Sequence, residues 1–404
     1  MSLPSLRVLM IIPALPVGGA EWAFVRLANA LSARHKVTAY VPWASESSPV
    51  LLQALDPQVR LVSLPLPWAW MHRLVYKLSL LFPKIALEQR LHRSVLRLLH
   101  RLERFQIVNA HLHSGARLAC DAFREACLPL VESDHGDYAL LQKEDPSLAR
   151  HRAVFARIDG LICPSHANLQ RVRQMPWKPG VCQAVIPNAA AAGTGARVPP
   201  PDKQEFTFGL LARGVADKGW AEAVQAFRLL RQRVEVPLRL LLIGEGPEIV
   251  RLRSLVQPDE GIEFAGYQAE PASWISRCHV GLLPSFFTAE SLPNVIVEFQ
   301  SQGRPVIATD VGGIADMLEE AGQPCGVLIP LDPVTGRADV QALAAAMLRL
   351  VQDSSFHARC ADAALMAFQR YQPARVAEAC TAFFEQVLQA RSRADSKQEG
   401  GHDA

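Results

Sequence analysis

Short apolar runs alternate with longer amphipathic stretches along this chain, and the whole alternation occurs twice. In the first half, residues 6–12, 36–41, 59–64, 107–112, 130–132, 160–163 and 184–186 read as strands, separated by helical patterns such as 21–32 and 116–126. The second half repeats this with 207–211, 238–243, 262–265, 280–284, 305–309 and 327–329. The runs are near-continuous in Val, Ile and Leu, the pattern of strands buried on both faces. Helical stretches between such strands predict parallel sheets covered on both sides. The expected fold is α/β: two Rossmann-like, doubly wound parallel-sheet domains facing a central cleft.

The 404 residues exceed what one hydrophobic core usually serves. Residues 189–201 carry no apolar periodicity and are rich in Gly and Pro, which marks a linker. The expected division is an N-terminal domain over 1–188, a linker over 189–205 and a C-terminal domain over 206–371. Helical patterns at 340–352, 356–369 and 374–391 follow the second set of strands. The helix over 372–393 is expected to pack back on the N-terminal domain, followed by a disordered tail over 394–404.

Charge changes the picture less by its sum, +3, than by its distribution. Residues 1–188 carry 22 Lys/Arg against 13 Asp/Glu, whereas 189–404 carry 20 against 26. A basic first half points to an anionic partner there. The eight cysteines are scattered with no Cys-x-x-Cys, which argues against a zinc site or disulfide framework and for a reducing compartment. Residues 8–12 are too short and too poorly flanked for a secretory signal, and no apolar run is long enough to span a membrane. A cytoplasmic location is expected, with peripheral contact at the inner face of the membrane.

The chemistry concentrates after the fourth strand of the second half. Glu290 and Glu298 stand eight positions apart with Pro293 between them. Proline fits the first turn of a helix and not its interior, so Glu290 falls in a loop and Glu298 near the end of the second helical turn. Both carboxylates can face the carboxyl edge of a parallel sheet, where such sheets bind ligands. The helix N-terminus beside them offers N–H groups suited to phosphate.

Other loops at strand ends carry matching signals. Gly18-Gly19 after the first strand is either a tight turn or a loop that lets a ligand approach the backbone. It lacks the Gly-x-Gly-x-x-Gly spacing, which disfavours an NAD enzyme. Arg213 and Lys218 follow the first strand of the second half; they are either solvated charges or a fork and a point charge converging on a diphosphate. Gly244-Glu245-Gly246-Pro247 and Asp310-Val311-Gly312-Gly313 add two permissive loops on the same rim.

Taken in order, Gly18-Gly19-Ala20-Glu21, Arg213 through Lys218-Gly219, Gly244-Glu245-Gly246-Pro247, Glu290 to Glu298, and Pro305 through Gly313 resemble the retaining glycosyltransferases of family 4, which have the GT-B fold. The resemblance runs from about residue 6 to 390. It implies transfer of a sugar from a UDP- or GDP-sugar donor with retention, no cofactor and no metal; the chain contains no Asp-x-Asp. It also implies that Arg213 and Lys218 hold the diphosphate, that Glu298 accepts from the ribose, and that Glu290 contacts the transferred sugar. Backbone N–H groups across Ser291, Leu292, Pro293, Asn294 and Val295, the proline lacking one, would face sugar and phosphate. Gly18 and Gly19 would close over phosphate or acceptor, and Gly244, Gly266 and Tyr267 would lie near the donor base. His135 matches the family's His-bearing loop and would contact the donor sugar and help orient the leaving group. His111 and His113 resemble a segment lining the acceptor side; on a strand both rings would share one face.

Locally, His135 also reads as a surface histidine beside Asp134 and Asp137. A metal site from Asp134, His135, Asp137, His111 and His113 is the weaker reading, because no His-Glu-x-x-His spacing supports it. The chain departs from the family at Asn188-Ala189-Ala190, where Asn-Gly and an acid are common, and at Ala212, where Gly is common. Ser291-Leu292-Pro293 replaces Gly-Phe-Gly, and Phe299 replaces a usual Ala.

Residues 71–104 carry eight Lys/Arg and two Glu. Leu91, Val95, Leu98, Leu99 and Leu102 form one helical face, with Arg90, Arg93, Arg97, Arg101 and Arg104 around the other. Such a helix either buries its stripe in a core or lies on an anionic bilayer. Without interleaved stacking aromatics, nucleic acid is not expected. The function expected is sugar transfer to a glycan, lipid-linked or small-molecule acceptor in cell-surface polysaccharide or glycolipid biosynthesis. The alternatives are a GT-B sugar-nucleotide epimerase and a non-catalytic carbohydrate-binding module.

Overall fold

Every strand that the apolar runs predict is present in the computed structural model, which describes residues 5–43, 46–63, 87–126, 128–136, 138, 148–191, 205–268 and 270–399. The chain divides into two units, one of residues 1–189 with 373–404 and one of residues 190–372. The first sheet holds β1 (Arg7–Ile11), β2 (Lys36–Tyr40), β3 (Arg60–Val62), β4 (Ile107–His111), β5 (Leu130–Ser133), β6 (Gly160–Cys163) and β7 (Cys182–Val185). All its pairings are parallel, in the order β3-β2-β1-β4-β5-β6-β7. The second sheet holds β8 (Phe206–Leu211), β9 (Leu238–Ile243), β10 (Ile262–Gly266), β11 (Val280–Leu283), β12 (Val306–Thr309) and, after a small hairpin of β13 (Glu319–Glu320) and β14 (Gln323–Pro324), β15 (Gly326–Ile329). Its order is β10-β9-β8-β11-β12-β15, again all parallel.

Both orders reverse direction beside their first strand. In the first unit this switch point lies between β1 and β4, in the second between β8 and β11. Loops leave the carboxyl ends on opposite sides there and open a crevice, which is where such sheets place ligands. Each sheet is covered on both faces, the first by two apolar clusters around Val8, Met10 and Val37 and around Leu9, Val108 and Leu130. The second has equivalents around Leu240, Leu242 and Leu282 and around Leu241, Ile243 and Leu283.

The C-terminal helix Pro373–Glu399 belongs to the first unit. Val376, Cys380, Phe383, Phe384 and Val387 are buried in the cluster that holds Val8 and Leu31. At about 2 kcal/mol for each fully buried large apolar side chain, this face alone anchors the helix. Arg391 adds a polar tie, donating to Asp159 Oδ1 at 3.0 Å. Asp159 also takes Lys178 at 2.6 Å, Arg157 at 2.9 Å and the Leu130 N–H at 2.9 Å. The helix continues through Glu399, into the stretch expected as a tail; residues 400–404 lie outside the described residues. Most of the expected linker, 192–204, also lies outside them, and the boundary between units falls one residue later than expected, after Ala189.

The basic helix is present as Leu87–Glu103, while 71–86 lie outside the described residues. Its apolar stripe splits. Leu96 and Leu99 are buried with His92, whose Nδ1 meets the Tyr40 hydroxyl at 2.8 Å. Leu91, Leu98 and Leu102 face outward, at 39%, 55% and 69% exposure. The helix is thus neither wholly a core helix nor wholly a surface one. No helix among the described residues is long and apolar enough to cross a membrane.

Candidate active site

The loop after β8 runs from Ala212 into a single 3-10 turn, Ala216–Lys218, and then into the helix Trp220–Arg231. Gly219 joins them with φ +76°, and a Cβ there would overlap the Pro284 carbonyl. The Trp220 indole N–H donates to the Arg213 carbonyl at 2.8 Å, and the Gly214 N–H donates to the Glu245 carbonyl at 2.7 Å. These bonds fix the loop before any ligand arrives. At its end Lys218 is held over the switch point, with Nζ 5.1 Å from the centre of the Phe287 ring.

The loop after β11 brings Glu290 to meet it. Lys218 Nζ donates to Glu290 Oε1, and both side chains are about nine-tenths buried. The Ser285 hydroxyl lies 2.9 Å from the same oxygen and 3.1 Å from the Asp217 carbonyl, so its one proton serves both loops. Thr309, at the end of β12, donates to the Ser285 carbonyl. The Gly313 N–H donates to the Glu290 carbonyl at 2.9 Å, and Gly312 adopts φ +57° where a Cβ would overlap that same carbonyl. Three strand ends are thereby stitched around one carboxylate. Ser285 and Thr309, both fully buried, are the residues that sequence reading missed. Their only sequence signal is a polar residue at the end of an apolar run.

The remaining residues expected in this unit lie on the same rim without touching the pair. Arg213 is exposed and its guanidinium makes no ion pair or hydrogen bond among the described residues. Pro293 is the N-cap of the helix Asn294–Gln300 and not its first-turn residue. Leu292 is buried in the core, with Val295 packed against the same cluster, so both reach a ligand only through backbone. Ser291 and Glu298 are partly buried. Gly244 donates its N–H to the Gly266 carbonyl at 2.9 Å, and Tyr267, next to Gly266 at φ +71°, is 62% exposed. Phe299, the departure from the family's usual alanine, is fully buried against strands that make room for it: a Cβ on Gly281 would lie 2.6 Å from its ring. Glycine inside a strand marks just such a close approach.

In the first unit, Gly18 is the N-cap of the helix Gly19–Ser32, and the Glu21 carboxylate folds back over the position a Gly18 Cβ would take. A carboxylate there suits a hydroxyl better than an anion. At the end of β4 the chain enters the helix Leu112–Ala122 directly, with Leu112 at φ +62°. A branched side chain in this left-handed region is a strained arrangement. It breaks the alternation of the strand, so His111 and His113 do not share a face as the pattern predicts. His111 Nδ1 meets His135 Nε2 at 2.9 Å, whereas His113 meets the Tyr138 hydroxyl at 3.0 Å and lies against the tilted ring of His151, centres 4.0 Å apart. Tyr138 in turn donates to the fully buried Glu132 at 2.7 Å.

All three histidines are neutral at pH 7. Burial pushes His111 well below its ordinary range, with the neighbouring His135 adding to the effect. Burial lowers His135 to about 4. For His113 burial, then His151 and Arg117, bring it to about 4. Asp134 accepts from the Gly136 N–H and from Asn168, which makes it a structural cap of its loop. Asp137 lies outside the described residues. Among the described residues no group of three or more His, Cys, Asp or Glu is arranged to hold a metal ion.

Residues 17–190 match the family described as Glycosyltransferase Family 4, and residues 205–353 match Glycosyl transferases group 1. An exopolysaccharide phosphotransferase of Streptomyces coelicolor is 30% identical over 216 residues, covering 52% of this chain and 21% of that protein. The lipopolysaccharide core biosynthesis glycosyltransferase LpsE of Rhizobium meliloti is 28% identical over 216 residues, 52% of this chain and 59% of its own. The chain thus matches less than two thirds of the length of either. The crystal structure of Anabaena HepE in complex with UDP and glucose superposes with a TM-score of 0.70 over 94% of this chain and 100% of that one, at 18% identity. The fold is GT-B, and the chain belongs to the family 4, group 1 glycosyltransferases.

Proposed function

We propose that this protein is a metal-independent, retaining glycosyltransferase that moves a sugar from a UDP- or GDP-sugar to a glycan, lipid-linked or small-molecule acceptor in cell-surface polysaccharide or glycolipid biosynthesis. The observation that carries this reading is the Lys218–Glu290 pair at the switch point of the second sheet, with three strand-end loops locked around it. The family, the names of the two relatives and the UDP and glucose in the HepE structure support it. The names of the relatives favour polysaccharide synthesis over the epimerase and binding-module alternatives.

In this reading Lys218 and the exposed Arg213 hold the donor diphosphate. Fixed cations at the point where negative charge develops are often the largest catalytic term. Glu298 accepts from the ribose and Glu290 from the transferred sugar. The bond from the anomeric carbon to the phosphate oxygen breaks, the bond to the acceptor oxygen forms on the same face, and the acceptor proton passes to the departing diphosphate. No protein nucleophile is required. Two cations supply the charge compensation for which other transferases recruit a divalent ion, and retention rests on the family resemblance. A thermal-shift series with UDP-, GDP- and ADP-sugars tests the donor. A ligand at 100 times its dissociation constant adds about 2.7 kcal/mol of stability. Absence of any shift with all three would overturn the reading, and the anomeric configuration of the product by NMR tests retention.

The same reading includes docking of the helix Leu87–Glu103 on an anionic membrane that presents a lipid-linked acceptor. Its support is the outward row of Leu91, Leu98 and Leu102, spaced to form one stripe, beside the exposed Arg90 and Arg101. Co-sedimentation with vesicles containing anionic lipid should fall for Leu98→Ser with Leu102→Ser, and for Arg90→Glu with Arg101→Glu. Equal binding by all variants would sink this part.

A further inference from the structure

The two histidines at the end of β4 and after β5 form the outer links of a longer chain of hydrogen bonds. Asn109, inside β4 and fully buried, donates its amide N–H to the Ser133 hydroxyl at 3.0 Å. That leaves its amide oxygen for His111 Nε2, 3.0 Å away. An amide oxygen only accepts, so His111 carries its proton on Nε2 and presents a bare Nδ1. His135 Nε2 lies 2.9 Å from that nitrogen and must therefore donate to it. A neutral ring has one N–H, so the remaining nitrogen of His135, Nδ1, is an acceptor. It makes no hydrogen bond among the described residues.

The geometry points to Asn109 and His111 as positioning residues that fix the tautomer and ring plane of His135, so that it offers a lone pair to a ligand hydroxyl and not a proton to a phosphate. The inference rests on the proposed sugar transfer only for the identity of that hydroxyl. Several features hold the arrangement. The rings of His111 and His135 lie within 24° of parallel with centres 5.1 Å apart, the edge-to-edge arrangement of a ring N–H···N bond, and Phe24 closes edge-on against His111 at 5.0 Å. The strained Leu112 fixes where β4 ends and so where His111 stands. A cavity of about 20 Å³ beside them is lined by His111, Ser133, Asp134 and His135. The charged and titratable groups nearby are accounted for elsewhere: Asp134 by Gly136 and Asn168, Glu132 by Tyr138, and His113 by Tyr138 and His151. A neutral acceptor histidine selects a hydroxyl donor by hydrogen-bond polarity, which an imidazolium could not do.

Long-range proton–nitrogen NMR of the imidazoles tests this without any substrate. Both His111 and His135 should show the Nε2–H tautomer at pH 7. Ser133→Ala frees the Asn109 amide to turn, and should shift His135 toward a mixture of tautomers while the fold, read by backbone amide shifts, is retained. Asn109→Asp places a carboxylate behind His111, which favours the charged ring, and should raise the titration of the His111–His135 pair by a pH unit or more. In turnover, both variants should lower kcat/KM on the order of tenfold, and Asn109→Asp should move the acid limb of its pH profile upward. An Nδ1–H tautomer of His135 in the wild-type protein, or tautomers unmoved by Ser133→Ala, would overturn the inference. Correct tautomers with no sugar transfer would overturn the proposed activity and leave the relay standing.

Discussion

Lys218 and Glu290, seventy-two positions apart, form an ion pair across the switch point of the second sheet, with both side chains almost fully enclosed. The pair means that the two residues cannot be tested as independent contacts. Lys218→Ala removes the cation proposed to hold phosphate and also strands a buried carboxylate, which costs about 3 kcal/mol when a buried pair is broken from one side. Turnover should fall by roughly 10²–10³, the range for loss of one preorganised charge-stabilising donor, with a lower unfolding temperature. Lys218→Met combined with Glu290→Gln should recover most of the stability and none of the activity. Calorimetry and initial rates on these two variants and the unaltered protein separate the two effects; recovery of rate in the double variant would refute the phosphate role.

Phe299 and Gly281 are a reciprocal fit, a ring where the family usually has a methyl and a strand position with no side chain. Gly281→Ala should destabilise by about 1–3 kcal/mol through overpacking. Because Phe299 adjoins Glu298 on the helix Asn294–Gln300, donor affinity should weaken as well. Phe299→Ala in the Gly281→Ala background should relieve part of the stability loss, measured by urea midpoints.

Acid should loosen the first unit before the second. His113 and His135 titrate near 4 when folded and near 6.5 when unfolded. Between these values the unfolded chain binds more protons, so their contribution is fully present above about pH 6.5 and is lost as pH falls toward 4. Hydrogen exchange on amides of β4 and β5 should accelerate over that window. His113→Gln should flatten the dependence, and an unchanged pH slope in that variant would count against it.

Asp159 takes three cations from three parts of the chain: Arg157, Lys178 and, from the C-terminal helix, Arg391. Burial would raise its carboxyl, but the hydrogen bonds from Lys178 and the Leu130 N–H, with the nearby cations, hold it below the ordinary range. Asp159→Ala should cost about 3 kcal/mol by the same argument as for any half-broken buried pair. Arg391→Met should cost less, since two cations remain. Protection of the helix Pro373–Glu399 in hydrogen exchange reads both.

The sheets were legible because strands buried on both faces announce themselves as unbroken Val, Ile and Leu runs. The hairpin of β13 and β14 was not, because Glu-Glu-Ala-Gly-Gln-Pro has no apolar pattern to read. Leu112 in the left-handed region could not be foreseen, since leucine carries no bias toward it and tertiary packing imposes it. Periodicity put Leu91, Val95, Leu98, Leu99 and Leu102 on one face, left out the buried Leu96, and could not tell Leu99 from Leu98 and Leu102, because which part of a wide stripe meets the core depends on neighbours distant in sequence. Candidate site residues in loops with Gly or charge could be nominated from the sequence. Ser285 and Thr309 were not, since a hydroxyl that ties two loops looks like any other small polar residue.

The first unit is written in two pieces, with the whole of the second unit between them. On a ribosome the second sheet emerges complete while the first still lacks Phe383, Phe384 and Val387. Residues 1–189 must therefore wait, with an uncovered apolar face around Val8 and Leu31, until residues 373–387 are made. Chaperone dependence and degradation of truncated products should accordingly fall on the domain synthesised first.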